Sequence, residues 1–373
     1  MITDTQPRFS LREARAIVRD LFDPKPVIYW LDFLASLVVG GVCFSAARYI
    51  EMPPAQGLLA FAACLAYYRA ALFIHELVHL RGDSFRAFRI VWNLLCGIPF
   101  LMPSFLYYNH RVHHARKHYG TPDDGEYMPL ASRPRRELLT YLLQPFVIPL
   151  LAMVRFLVIT PLTWLSPSVC RLVRRRASSM VMDPAYVRPL PTAAELKFWR
   201  LQEVACFLYS LAAALMFIRG GLPISLFAHA YLTAVVILLV NHVRTLGAHR
   251  YHYGGEPLSF TEQLLDSVNY PNHPLTGELW GPVGLRFHAL HHLFPSLPYY
   301  NLPEAHRRLM ARLPADSPYR QTESPSLLAS LQQLWRTAGR DSGAPDAGEL
   351  GIAIERGRPS RAPNFMQLPL RRP

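Results

Sequence analysis

The sequence predicts an all-α integral membrane protein, with four transmembrane helices in two hairpins, further interfacial helices, and a cytosolic cap that holds clustered histidines. Three observations predict it. Apolar residues make up 51% of the 373 and charged residues only 17%, against about a quarter charged in soluble domains. The apolar residues gather in stretches close to the ~20 residues needed to cross a bilayer. Eight of the 15 histidines fall into three compact clusters beside those stretches.

The expected spans are residues 27–49, 58–74, 201–218 and 222–240. Glu51-Met52-Pro53-Pro54 joins the first pair and Arg219-Gly220-Gly221 the second, both short turns that make hairpins. Two more apolar stretches are interrupted. Residues 90–108 contain Gly97, Pro99 and Pro103, and residues 141–165 contain Gln144, Pro145, Pro149, Arg155 and Pro161. Proline disfavours a regular helix, so both stretches are assigned to one face of the bilayer. Parity agrees, because a crossing at 90–108 would put the histidines at 110–114 opposite His75 and His79. A metal cannot be shared across a membrane.

The expected organisation is a cytosolic N-terminal segment (1–26), a membrane domain (27–338) and a disordered tail (339–373) rich in Pro, Gly and Arg. Met1 to Lys25 is polar, with no short apolar core behind a basic start, and does not read as a cleavable signal peptide. The net charge is +13. Arg8, Arg12, Arg15, Arg19 and Lys25 precede the first span, and Arg111, Arg116, Lys117, Arg133, Arg135 and Arg136 follow the second. The positive-inside tendency then puts the termini and the histidine clusters in the cytoplasm. Basic residues such as Arg171, Arg174, Arg175 and Arg176 flank apolar segments, which suits anionic headgroups. No nucleic-acid motif accompanies them. The cysteines at 43, 64, 96, 170 and 206 form no close pair, which argues against a disulfide framework or a thiolate metal site.

The clusters are His75-Glu76-Leu77-Val78-His79, His110-Arg111-Val112-His113-His114 and His288-Ala289-Leu290-His291-His292. Residues at i, i+3 and i+4 share a helix face, so each cluster is expected to aim its imidazoles at one point. Imidazole suits iron, zinc, copper and nickel. Eight ligands exceed one tetrahedral zinc and fit two metals at about four each, with positions open for oxygen. Carboxylates that could receive the other ring N–H of a metal-bound imidazole are Glu76, Asp123, Asp124, Glu126 and Asp266. Their sequence positions suit solvent exposure or helix capping equally well.

In these clusters, and in the continuation Leu293-Phe294-Pro295-Ser296-Leu297-Pro298-Tyr299-Tyr300, the chain resembles the membrane fatty acid desaturase and hydroxylase superfamily. The resemblance runs from about Leu58 to Leu309. It implies a four-helix stem, a cytosolic cap, two histidine-held irons and oxygen-dependent oxidation of a lipid acyl chain. Loss of two hydrogens gives a double bond, and replacement of one by oxygen gives an alcohol; desaturation is the expected outcome, with hydroxylase or ketolase chemistry as the alternative. The resemblance also implies one further ligand near the end of the fourth span. His242, His249 and His252 are the candidates, and His249 is preferred. His118, His229, His273 and His306 are expected to be ordinary residues. Electrons must come from a separate donor such as a ferredoxin or a cytochrome b5-like protein. His273-Pro274-Leu275-Thr276-Gly277 is not a fused haem segment.

Two readings from other classes compete. His75-Glu76-Leu77-Val78-His79 matches the HExxH of a membrane zinc protease, with Glu76 as base, but this leaves the other two clusters unexplained. A transporter or metal-binding scaffold would place its site near the bilayer midplane, whereas these clusters lie at helix ends.

Overall fold

A computed structural model of the chain describes residues 9–80 and 82–339. The expected tail therefore lies outside the described residues apart from Gly339. Among the described residues there is no strand, only isolated bridges that staple loops together.

Five helices are long and apolar enough to cross a membrane: α1 (Pro26–Ala46), α2 (Pro53–His79), α3 (Ile148–Leu165), α4 (Ala193–Ile218) and α5 (Ile224–Leu246). Four of them overlap the expected spans, with shifted ends. Helix α2 is longer than expected at both ends. Pro53 and Pro54 occupy its first turn, where a missing N–H costs nothing, and its C-terminal turn carries His75 and His79. Helix α4 opens on a capping box between Thr192 and Glu195.

Helix α3 is the fifth, within the stretch 141–165 that the sequence assigns to one face. The prolines that argued against it sit where helices accept them. Pro149 and Pro161 each occupy the first turn of a helical piece. The π-helical turn Arg155–Ile159 joins the pieces. A π-turn absorbs the register change that proline imposes. Residues 90–108 stay broken, as a helix ending at Trp92, a π-turn (Asn93–Gly97) and a 3-10 turn (Ser104–Tyr107).

Helix α1 packs along α2. A Cβ on Gly40 would come within 2.6 Å of the Tyr67 ring, so glycine permits this approach. The second expected pair is joined by a tight turn through Gly220, whose φ of +75° suits glycine. Yet α5 packs mainly on α2, and α4 mainly on the π-turn and last piece of α3. Buried Arg155 of α3 pairs with Glu203 of α4 and donates to Thr160 and to the Ala177 carbonyl.

A polar network fastens the cap to the stem. Arg69 of α2 grips Asp32 of α1 through two bonds of 2.6 and 2.7 Å and reaches Glu278 at 3.1 Å. Tyr299 donates to the same Asp32 at 2.6 Å. Arg286 meets Glu278 at 3.3 Å and donates to the Tyr270 carbonyl at 2.9 Å. The segment on either side of the third cluster is thereby tied to both helices of the stem. Phe73, Phe88, Tyr29 and Phe33 form a buried aromatic core beneath it.

Candidate metal centre

Each cluster is presented by a helix end. The first is the C-terminal turn of α2, the second the short helix His110–His113 with His114 as its cap, and the third the helix His288–Leu293. Asn269 orients the third. Its side-chain carbonyl accepts from the Leu290 amide at 3.0 Å, and its amide donates to Thr322 Oγ1 at 2.9 Å.

The nine histidines singled out in the sequence come together in two groups. His75, His79, His110, His114 and His291 form one; His113, His249, His288 and His292 form the other. Within each group one ring nitrogen per residue lies within 4.8 Å of all the others. The groups adjoin, with the His114 and His292 rings 4.3 Å apart. One expectation is corrected: a cluster does not aim all its imidazoles at one point. In the second and third clusters the i and i+4 residues share a group, whereas the i+3 residue faces the other. At 3.6 residues per turn, i+3 and i+4 point about 100° apart. The same helix can therefore serve two centres.

His242 and His252 lie outside both groups. The His242 Nδ1 faces the Leu238 carbonyl at 2.8 Å, and its ring packs on Tyr141. His118, His229, His273 and His306 also stand apart from both groups.

Carboxylates hold several rings from behind. His110 Nδ1 lies 2.7 Å from Glu126 Oε2, and His113 Nδ1 lies 2.8 Å from Asp124 Oδ2. His249 Nδ1 meets the Tyr119 oxygen at 2.7 Å, and the Tyr119 hydroxyl donates to Asp266 at 2.7 Å. Tyr127 donates to Asp266 at 3.1 Å. Three of the five carboxylates considered thus support imidazoles. Asp123 instead lies beside His118 at 3.3 Å, with 76% of its side chain exposed. Glu76 accepts from Tyr29 at 2.9 Å within the aromatic core. Its other oxygen lies 3.9 Å from His75 Nδ1. Neither Tyr119 nor Tyr127 was foreseen, since no helical spacing relates them to the clusters.

The donor set fits cations. With Nδ1 held as a donor, the Nε2 of His110, His113 and His249 carries its lone pair. Yet Nε2 atoms face one another at 2.9 Å (His110 and His114), 3.0 Å (His114 and His291), 2.9 Å (His249 and His288) and 3.1 Å (His288 and His292). Both ring nitrogens of His75 and the Nδ1 of His114 and of His288 are buried without a hydrogen-bond partner. Convergent lone pairs with unsatisfied buried nitrogens are what a bound metal would resolve.

Electrostatics point the same way. Burial first, then the neighbouring imidazoles, hold His110, His114, His288, His291 and His292 well below the usual histidine range. The shift favours the neutral imidazole, the form that can ligate a metal. Burial works against the charged form of His113 too, but Asp124 beside it raises the net value. Burial pushes Glu126 up to about 8.

Comparison with known proteins agrees with this architecture. Residues 52–323 match the family described as fatty acid desaturase. A ceramide hydroxylase of Caulobacter vibrioides (strain NA1000 / CB15N) is 38% identical over 327 residues, which cover 87% of this chain and 93% of that protein. No solved structure matches. The family match spans all three histidine clusters and His249, and on it the chain belongs to the fatty acid desaturase family.

Proposed function

We propose that this chain is a membrane-embedded, di-iron lipid hydroxylase that inserts one oxygen from dioxygen into a ceramide-type lipid. The observation that carries the reading is the 38% identity to a ceramide hydroxylase across 93% of that protein. It moves hydroxylation ahead of the desaturation that the resemblance around the third cluster implied.

In this reading the nine histidines are ligands, five to one iron and four to the other. The irons would supply the activation of dioxygen and the oxidation of an unactivated C–H bond. The chain's own residues do the positioning. Asp124, Glu126 and the Tyr119–Asp266 pair hold the imidazoles behind the centre and fix which nitrogen faces the metal. Burial of the cap keeps water from the reacting carbon. A separate electron donor, a ferredoxin or cytochrome b5-like protein, completes the stoichiometry.

The same reading sets the topology. His291 shares a group with His75 and His110, so the chain crosses an even number of times between the second and third clusters. Helices α4 and α5 supply two crossings. Helix α3 then lies in one face, and four spans remain, with the termini and the centre on the cytoplasmic side.

The test is to express the chain with a compatible reductase and to profile ceramides by mass spectrometry against a His291→Ala, His292→Ala variant. A ceramide heavier by one oxygen, made only with the intact clusters, is the expected product. A new double bond would return the assignment to desaturase.

A further inference from the structure

The N-terminal segment lies on the cap. Ala14 and Val18 are fully buried in the same core as Leu302, Ala305 and Leu309 of the helix Leu302–Arg312. Phe9 stacks on Phe260 at 5.9 Å, and Asp20 holds Arg308 at 2.7 Å. With one face of the short helix Leu11–Ile17 packed in this way, the rest of it presents Arg12 and Arg15, and Arg19 follows in the next turn. All three are exposed, and among the described residues none of them forms an ion pair. Together with Ala16 and Phe22 they line an open groove of about 430 Å³.

Two features set this groove apart from the other basic surfaces of the chain. It leads to the candidate metal centre. Phe22 takes the Arg15 guanidinium over its ring at 4.7 Å and meets Phe294 edge-on, with the ring centroids 5.5 Å apart. Phe294 caps the helix that carries His288, His291 and His292, so two rings in contact join the groove to the third cluster. The groove is also poorly suited to lying in lipid, because Leu11 is the one large apolar side chain exposed among residues 9–25. The helix Pro167–Arg176 differs. It carries Arg171, Arg174 and Arg175 beside exposed Trp164, Leu165 and Leu172, the mixture expected of an interfacial helix.

We propose that this groove docks an acidic one-electron carrier protein, whose carboxylates meet Arg12, Arg15 and Arg19, and that electrons reach the third cluster by way of Phe22 and Phe294. The proposal rests on the hydroxylase reading, which requires two electrons from outside the chain. Each reduced carrier gives one electron and leaves oxidised. Two electrons and two protons reduce one atom of dioxygen to water, while the other atom enters the C–H bond as hydroxyl. The guanidinium fork can take a carboxylate through two bonds. Charges at the rim of an interface act on encounter and orientation more than on affinity, which suits a carrier that must leave after each transfer.

The experiment measures two quantities with the full chain in detergent. One is the affinity for an acidic iron–sulfur ferredoxin, and the other is the anaerobic rate at which that reduced ferredoxin reduces the iron-loaded chain. Wild type is compared with the triple variant Arg12→Gln, Arg15→Gln, Arg19→Gln. A control triple, Arg171→Gln, Arg174→Gln, Arg175→Gln, removes the same charge elsewhere. The groove variant is expected to bind ferredoxin, and to be reduced by it, about tenfold or more less well, the scale of electrostatic steering. Its reduction by dithionite is expected to match that of wild type. High salt is expected to bring wild type toward the groove variant, and the control is expected to behave as wild type. An equal loss in the control would assign the effect to net charge and overturn the proposal. Unchanged ferredoxin binding in the groove variant overturns it as well, and if that variant instead loses binding to phosphatidylglycerol vesicles, the groove is a lipid surface. Wild-type protein that binds neither this ferredoxin nor an acidic cytochrome b5 also overturns it. Iron-loaded wild type that dithionite cannot reduce would sink the hydroxylase reading instead; ferredoxin binding is read without iron, so the two failures are distinct.

Discussion

The Nε2 atoms of His249 and His288 stand 2.9 Å apart although 39 positions separate the residues. The two are brought together by the backbone, since the His249 segment bridges to Ser267 and the Ala289 amide donates to the Val268 carbonyl at 3.2 Å. One group of imidazoles thus depends on a loop that joins the end of α5 to the third cluster. This relation makes the two histidine groups separable by mutation.

His249→Ala is expected to lower bound iron from two per chain toward one, because four ligands become three while the other group keeps five. Metal analysis of purified protein checks it. Retention of two irons would remove His249 from the ligand set.

Asp266→Asn is expected to weaken the second metal position by about 10- to 100-fold, the usual cost of losing a partner behind a ligating imidazole. Asp266 acts on His249 both directly, at 3.4 Å, and through Tyr119, so Tyr119→Phe should weaken the same position in the same direction but by less. Iron titration of the stripped protein measures both.

Glu76→Gln is expected to retain oxygenase activity within a few fold. Its carboxylate accepts from Tyr29, and a glutamine carbonyl can do the same. Abolition of all activity would favour the HExxH reading of the first cluster.

The metal-free protein is expected to lose stability as pH falls. Five histidines have folded-state values well below the 6.5 of the free side chain. Below 6.5 the unfolded chain binds protons that the folded chain refuses, so unfolding becomes easier with acid. Glu126, raised from 4.5 to about 8, and His113, raised by Asp124, act in the opposite sense, but as two groups against five. Thermal unfolding of stripped protein between pH 7 and 5 should show a falling Tm, and bound iron should flatten that slope.

Much of the candidate centre was legible in the sequence because its histidines obey local geometry. Spacings of three and four residues mark the eight cluster histidines wherever the chain folds. His249 follows no such spacing with the clusters and rested on the resemblance, since His242 and His252 satisfy the same rough position. The division into five and four was also hidden, because spacing tells that i+3 and i+4 share a broad face but not that two centres flank it. The carboxylate partners lie 11 and 16 positions from their histidines, on loops whose path no periodicity predicts. The regular helical pieces of α3 were hidden for a different reason. Pro149 and Pro161 break a helix only in its interior, and here both stand in first turns beside a π-turn.

The measurement that tests the central claim most directly supplies the reconstituted enzyme with heavy-isotope dioxygen, a reductase and dihydroceramide, and weighs the product. The account predicts a hydroxylated lipid carrying one labelled oxygen atom, absent when the histidine clusters are mutated. A product lacking two hydrogens and bearing no label would contradict it and assign the chain to desaturation.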